Sequence, residues 1–225
     1  MKNLIIGLST VANGNMYNRY DHQDQDVIKN REKFLKSLGI GLDRTSRVAV
    51  NFDGDNFCRY FEVSDQDAGA GMRSDDIKFA DALITTKIGH ALMLPVADCI
   101  AAVVFDPKNK VLMLGHLGRH SIEQQGALRS IEYLVNHYKS SQADIKVWLS
   151  PAVSKDNYPL WSMDNRGLKE VALEQFYEAG IKPSNLINNP IETDKDSNYY
   201  SFSEYQKGRR DQDGDHMVVA MMINS

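Results

Sequence analysis

The segment from Asp81 to Ser121 constrains the fold of this chain more than any other. It consists of apolar runs separated by polar turn sequences, a pattern typical of buried β-strands with short connections. Cys99 follows one apolar run, His116 ends another, and the turn sequence Asp-Pro-Lys-Asn at 106–109 lies between them. Two adjacent strands joined by that turn would bring the thiol and the imidazole close together in space.

Cys99 and His116 therefore form the candidate site, and their chemistry has two interpretations. In the functional interpretation, the imidazole activates the thiolate or shares a metal ion with it. In the other, Cys99 is a small core residue and His116 a buried, hydrogen-bonded histidine, which on composition alone is the commoner case. Asp53 is a candidate third metal ligand, because Cys, His and a carboxylate form an acceptable catalytic zinc site. Aspartate in such a turn is also a common turn former.

A candidate anion site follows the same segment. Arg119 and His120 precede a helix that is predicted to begin at Ser121. The start of a helix offers free backbone N–H groups and a partial positive charge, which suit an anion such as phosphate. The alternative is a capped surface helix whose polar side chains are solvated.

The composition is that of an ordinary globular protein. The chain has 225 residues, of which 42% are hydrophobic, and its formal net charge is −4. Since no stretch resembles a linker, we expect residues 1–225 to form a single domain. The charge gives no sign of the basic surface typical of nucleic-acid-binding proteins, so no nucleic-acid partner is expected.

Cysteine content and apolar runs predict the compartment. A single possible pair, Cys58 and Cys99, in a chain of this length indicates reduced thiols. The apolar run at 4–8 is shorter than the roughly 7–15 residues of a secretion signal. No segment approaches the roughly 20 apolar residues of a membrane span. We therefore expect a cytoplasmic protein without a membrane partner.

The spacing of apolar residues changes along the chain and predicts both helices and strands. Helices are predicted from a cap at Asp26 to Gly39, over 121–137 from a Ser-x-x-Gln capping box, and over 164–179 from a cap at Asp164. Besides those within 81–121, strands are predicted at 4–10, 47–52, 58–63, 144–149, 185–189 and 216–224, the second and third lying on either side of an Asp-Gly turn. Because strands outnumber helices and are only partly interleaved with them, we predict an α/β (α+β) layered sandwich with mixed β-sheets.

Motifs spread over nearly the whole chain resemble the laccase-domain, or polyphenol-oxidase-like, family. They include the segment 27–40, which is similar to the family's Asn-Arg-x-x-Leu helix, Ala-Asp-Cys at 97–99, and Asp-Pro followed by a strand and His-x-Gly at 116–118. The strand before Pro151 and the closing strand at 216–224 are similar as well. Many members of this family are regarded as purine nucleoside phosphorylases.

The resemblance implies a fold, a cofactor and substrates. The fold would be an α/β sandwich, also similar to a bacterial toxin deamidase with a Cys–His site. Zinc would be held by a first histidine, a cysteine equivalent to Cys99 and a second histidine equivalent to His116. The substrates would be phosphate and purine nucleosides, among them adenosine, inosine and methylthioadenosine, with deamination of adenosine as a further reaction. Copper is not expected, because the six histidines form no His-x-His pair.

The chain departs from the family pattern at several functional positions. Asp53 stands where the family has its first histidine, and carboxylate oxygen still suits zinc. At four further positions the family has an arginine and this chain has another residue. These are Val11 after the first Ser-Thr, His120 beside the site (with Arg119 one position earlier), and Gln206 and Asp215 near the C-terminus. Neither glutamine nor aspartate reproduces a bidentate Arg–phosphate contact.

Three functions are consistent with these residues. The first, which we adopt, is a zinc-dependent purine nucleoside enzyme of altered or reduced activity, with Asp53, Cys99 and His116 as metal ligands and 119–121 as the phosphate site. The second is a metal-free hydrolase or deamidase with Cys99 as nucleophile and His116 as base. The third is a degenerate, non-catalytic binding protein of the same family.

Overall fold

The computed structural model describes residues 2–18, 20–21, 23–50, 54–73 and 77–224. The strands in these residues are β1 (Leu4–Leu8), β2 (Thr45–Ala49), β3 (Tyr60–Glu62), β4 (Lys78–Phe79), β5 (Ala82–Thr85), β6 (Ala91–Val96), β7 (Ile100–Asp106), β8 (Val111–Leu117), β9 (Lys146–Leu149), β10 (Leu186–Asn188) and β11 (His216–Met222). The α-helices are α1 (Gln25–Ser37), α2 (Arg119–Glu123), α3 (Gly126–Tyr138), α4 (Leu168–Glu178) and α5 (Phe202–Gln206). In these ranges no helix is both long and apolar enough to cross a bilayer.

The strands form two mixed sheets. Sheet I has the order β1-β11-β6-β2-β4, and sheet II has the order β10-β9-β7-β8-β5-β3. In sheet I, β6 pairs antiparallel with β11 and parallel with β2. In sheet II, β9 pairs antiparallel with β7 and parallel with β10. The predicted mixed-sheet α/β sandwich is therefore confirmed.

The two sheets pack face to face, and helices cover their outer faces. Along β7, Ala101, Val103 and Phe105 face sheet I, whereas Ile100, Ala102 and Val104 share a buried cluster with α3 and α4. On the other side, Phe34 and Leu35 of α1 pack against Met93 and Val219 of sheet I. Since the central strands are buried on both faces, they appear in the sequence as continuous apolar runs rather than alternating ones.

Helix α1 forms as predicted, with a different cap. The carboxylate of Asp24, rather than that of Asp26, accepts hydrogen bonds from the backbone N–H groups of Asp26 and Val27, at 2.9 and 3.2 Å. The helix ends before Gly39, whose φ of +73° is the left-handed conformation expected at a helix stop.

The caps predicted for the other two helices are wrong. Asp164 does not begin α4, because its own φ is +54° and the helix starts four residues later, after Gly167. The helix predicted over 121–137 is interrupted at Gln125, which has a φ of +62°. Ser121 thus lies inside the short helix α2 instead of capping a long one.

The turn between β2 and β3 does not form a hairpin. Strand β2 pairs with β6 and β4 in sheet I, whereas β3 pairs with β5 in sheet II. All five residues of β2 are buried, so this strand lies between two neighbouring strands. The residues of the turn that follows do not determine which strands these are. Residues 51–53, at the start of the turn, lie outside the described part of the chain.

A buried histidine at the start of β11 makes stability dependent on pH. His216 is fully buried, its ring packs edge-on against Tyr199 at 5.3 Å, and its two nitrogens have no hydrogen-bond partner among the described residues. Burial lowers the pKa of His216 to about 3. The unfolded chain, with a histidine pKa of about 6.5, therefore binds the additional proton when the pH falls below that value.

We expect the free energy of unfolding to fall between pH 6.5 and pH 3 by about 1.4 kcal/mol per pH unit from His216 alone. The variant His216→Phe keeps an aromatic ring against Tyr199 and removes this proton, so its stability should depend less steeply on pH. Urea denaturation at pH 7, 6 and 5 measures the difference, with the exposed His137→Phe as control. Equal slopes for His216→Phe and the wild type would contradict the expectation.

Candidate functional site

The antiparallel pair β7 and β8 brings Cys99 and His116 together. Ala101 pairs with His116 in the register of the two strands. The turn between them is fixed by Asp106, which accepts hydrogen bonds from the two backbone N–H groups that follow Pro107. The Cys99 Sγ and His116 Nε2 atoms lie 3.1 and 3.4 Å from the position of an ideal Cβ on Gly118. The expected proximity of thiol and imidazole is confirmed.

His116 is electrically neutral at physiological pH. Its side chain is buried, and burial lowers the pKa of His116 to about 4 against an opposing effect of the Asp81 carboxylate. A neutral imidazole has a lone pair available to accept a proton or to bind a metal ion. Cys99 is partly buried and not in a disulfide.

Asp81 is a residue of this site that the sequence analysis did not identify. The backbone oxygen of Asp81 accepts a 2.7 Å hydrogen bond from the backbone N–H of His116. Its carboxylate is held by Arg59, whose Nε and backbone N–H donate to Oδ2 at 2.8 and 2.9 Å and whose Nη2 donates to Oδ1 at 3.2 Å. The only signal for Asp81 in the sequence was its place in the Ala-Asp-Ala segment.

Two cavities meet at the Cys99–His116 pair. The larger cavity measures about 610 Å³, and much of its wall is apolar, formed by Val48, Leu94, Val96, Val153, Leu168 and Phe202. The smaller cavity measures about 200 Å³ and is bordered by Asp81, His120 and Ser121 together with Phe57 and Gly118. Cys99, His116, Arg119, Tyr158 and Val50 border both cavities.

The predicted anion site lies at the smaller cavity, but its local structure differs from the expectation. Helix α2 begins at Arg119, with Gly118 before it, so Arg119 and His120 are the first residues of the helix. His120 stacks on Phe57 at 4.6 Å, and its Nε2 lies 3.3 Å from Nη2 of Arg119. Ser121 is buried. Arg119 is thus the cationic group that borders both cavities.

The wall of the larger cavity also contains polar residues that sequence reasoning did not assign to the site. Arg47, on β2, is buried, donates from Nε to the Gly71 oxygen at 2.8 Å and lies 5.2 Å from the centroid of the Tyr17 ring. Gln206 and Asp215, which stand at two of the expected arginine positions, also border this cavity. The cavity wall therefore carries an amide and a carboxylate at two positions where the resemblance predicts arginines.

The described residues supply two of the donors that a zinc ion requires. Cys99 and His116 are ligand types that zinc accepts, and they converge on one point. No group of three or more His, Cys, Asp or Glu residues in the described ranges is arranged to hold a metal ion. Asp53, the predicted third ligand, lies outside the described residues, so its role stays a prediction.

Known proteins resemble this chain both in sequence and in fold. A family model described as "multi-copper polyphenol oxidoreductase laccase" matches residues 6–167. A purine nucleoside phosphorylase of Clostridium acetobutylicum is 23% identical over 175 residues, which are 77% of this chain and 63% of the relative. A purine nucleoside phosphorylase of Mycobacterium bovis is 28% identical over 146 residues, which are 63% of this chain and 54% of the relative. The matches thus span between half and two thirds of the length of these curated relatives.

The crystal structure of YlmD from Geobacillus stearothermophilus has the same fold. It superposes with a TM-score of 0.86 at 20% sequence identity, covering 99% of this chain and 93% of that one. The two-sheet architecture described above is therefore shared with a solved structure along nearly its whole length.

Proposed function

This chain belongs to the multi-copper polyphenol oxidoreductase laccase family, as its resemblance to the laccase-domain family indicated, and on that premise we propose that it is a purine nucleoside enzyme. Its reactions would be phosphorolysis of adenosine, inosine or methylthioadenosine and deamination of adenosine. The observation that carries the proposal is the position of Cys99 and His116 at the junction of a large cavity and a small one.

The two cavities suit two reactants of different size. The apolar walls of the larger cavity can cover a purine ring, and ligand cavities for small molecules are commonly about 300–1,000 Å³. The smaller cavity has room for phosphate or water, with Arg119 and His120 as its cationic and hydrogen-bonding groups. Reactants in the two cavities would meet at the Cys99–His116 pair.

The residues of the chain have distinct roles in this proposal. Neutral His116 offers the lone pair of Nε2 as a zinc ligand, and the backbone oxygen of Asp81 fixes the main chain of His116 by accepting a hydrogen bond from its backbone N–H. Arg119, which borders both cavities, balances the charge of phosphate. Burial of His116 limits the access of bulk water to its imidazole.

Zinc is the proposed cofactor, with Asp53, Cys99 and His116 as its ligands. When bound, zinc polarises a substrate atom or lowers the pKa of a bound water. The names of the two curated relatives support the nucleoside substrate, and their low identity makes the choice among nucleosides part of the proposal. We further propose that residues 1–225 act as a single cytoplasmic domain. The likeness to a toxin deamidase stays a prediction.

A second candidate is a metal-free hydrolase or deamidase with Cys99 as nucleophile and His116 as base. The convergence of Sγ and Nε2 on one point favours it, because a thiol beside a neutral imidazole can be deprotonated directly. A third candidate, a non-catalytic binding protein, is favoured by Gln206 and Asp215 in the wall of the larger cavity.

Metal content and nucleoside turnover test the proposal together. In protein purified without a metal-affinity tag, we expect near-stoichiometric zinc by mass spectrometry and phosphate-dependent release of free base from at least one of the three nucleosides. Cys99→Ala should lose both properties, because it removes a ligand at the junction of the cavities. The matched control Cys58→Ala removes the other thiol and should keep both.

The alternatives give different results in the same experiment. Turnover without zinc, abolished when Cys99 is alkylated, would identify the metal-free Cys–His enzyme. Nucleoside binding without turnover, in protein that contains zinc, would identify a binding protein. Absence of zinc, turnover and binding would reject the proposed function.

A further inference from the structure

Asp98 directly precedes Cys99 and is buried beside it at the wall of the larger cavity. We propose that Asp98 is a positioning residue that fixes Cys99 and two separate segments of the cavity wall relative to one another. The proposal deepens the proposed function and rests on it in one respect, that Cys99 is the functional thiol of the site.

The backbone conformation of Asp98 restricts which residues can occupy this position. Its φ is +74°, in the left-handed region that aspartate and asparagine enter more readily than most residues. This single left-handed residue turns the chain from the end of β6 at Val96 into β7, which begins at Ile100. The position of Cys99 at the meeting point of the two cavities therefore depends on the conformation of its neighbour.

The polar groups of Asp98 bind residues that are distant in sequence. The Thr193 Oγ1 hydroxyl donates to Oδ1 and the Ser203 backbone N–H donates to Oδ2, both at 2.7 Å. The backbone oxygen of Asp98 accepts a 2.8 Å hydrogen bond from the Val153 N–H. Val153 and Ser203 themselves border the larger cavity. One residue thus ties three chain segments to the turn that carries the thiol.

The partners of Asp98 are held in turn by a second set of contacts. The carboxylate of Asp194 accepts hydrogen bonds from the Ser154 backbone N–H and hydroxyl at 2.7 and 2.6 Å. Arg210 donates from Nη2 to the Thr193 oxygen at 2.7 Å and from Nη1 to the Tyr199 oxygen. Because Thr193 is anchored on both sides and fully buried, its hydroxyl is a fixed donor rather than a mobile one.

A carboxylate at Asp98 accepts both hydrogen bonds with charge assistance, which an asparagine amide cannot do. If the single amide oxygen keeps the Ser203 N–H, the NH₂ group faces the Thr193 hydroxyl, which must then change from donor to acceptor in a weaker, neutral hydrogen bond. Asparagine has nearly the same volume and tolerates the left-handed backbone equally well. Asp98→Asn therefore removes an acceptor while keeping the shape and backbone conformation of the turn.

The reactivity of the two cysteines tests the proposal without any substrate. In metal-free protein, we expect Asp98→Asn to raise the rate of iodoacetamide alkylation at Cys99 by about tenfold, because the loss of a charge-assisted hydrogen bond loosens the turn. Cys58 in the same molecule serves as the internal reference, read separately by peptide mass spectrometry, and its rate should not change. Thr193→Val, which keeps the charge of Asp98, should also raise the Cys99 rate, and Thr193→Ser should restore the wild-type rate.

Three results would overturn the proposal. An unchanged Cys99 rate in Asp98→Asn would show that the hydrogen bonds do not position the thiol. Equal increases at Cys99 and Cys58 would indicate general loosening of the fold. A change in Asp98→Asn without any change in Thr193→Val would indicate an effect of charge rather than of position. Since none of these measurements uses a nucleoside, failure of the proposed function leaves them interpretable.

Discussion

Replacement of His116 by glutamine is expected to lower kcat/KM for the proposed purine nucleoside reaction by about 10²–10⁴-fold, because it removes a proposed zinc ligand and the chemistry that zinc supplies is worth on the order of several kcal/mol. Glutamine keeps a polar side chain of similar length, but it has no ring nitrogen whose lone pair can bind the metal. Burial lowers the pKa of His116 to about 4, so the wild-type imidazole is neutral at pH 7 and its lone pair is available.

The control for this variant is a histidine outside the site. His137 lies on the exposed surface of α3, so His137→Gln should keep the wild-type kcat/KM. Steady-state kinetics on both variants, together with thermal unfolding to verify folding, separates loss of chemistry from loss of structure. Wild-type activity in His116→Gln would show that the reaction does not use this imidazole.

Replacement of Gly118 by alanine is expected to lower kcat/KM by about 10²-fold, the cost of displacing reacting groups by a fraction of their contact distance. The added Cβ would lie 2.8 Å from Cε1 of His116 and 3.1 Å from Sγ of Cys99. Alanine fits the backbone at this position, whose φ and ψ of −96° and −178° are ordinary extended values. The clash therefore acts on the two functional side chains rather than on the main chain.

A glycine on β8, the strand that ends just before Gly118, provides the matched control. The Cβ of Gly115→Ala would lie 3.6 Å from the Ala82 Cβ, an ordinary van der Waals distance. Both variants should retain nearly the wild-type free energy of unfolding by urea titration, and only Gly118→Ala should lose activity and zinc. Equal activity of the two variants would contradict the close contact of Gly118 with the site.

Local pattern was sufficient to locate the Cys99–His116 pair. The apolar runs on either side of Asp106 are consecutive strands joined by a short turn, and consecutive strands of this kind pair with each other. The register that faces Ala101 to His116 follows from the length of that turn. Proximity of the two side chains was thus a consequence of sequence-local contacts.

The break in the helix predicted over 121–137 depends on a close local approach that capping rules do not describe. Ser121 and Gln124 have the spacing of a capping box, yet the chain breaks at Gln125 and begins a new helix at Gly126. A Cβ at Gly126 would lie 2.0 Å from Oγ of Ser121, so the two helices approach each other more closely than any other residue would allow. Propensity rules describe isolated helices and do not include this approach.

The sequence by itself determined the strand content, the buried character of the central strands and the meeting of Cys99 with His116, because these follow from apolar periodicity and short turns. Only the tertiary structure decided the assignment of β2 and β3 to different sheets, the pairing of Arg59 with Asp81 and the two cavities at the site. It also decided that Asp98 binds Thr193 and Ser203, 95 and 105 positions further along the chain. Contacts over such separations depend on how whole layers pack, and no local pattern of residues specifies that packing.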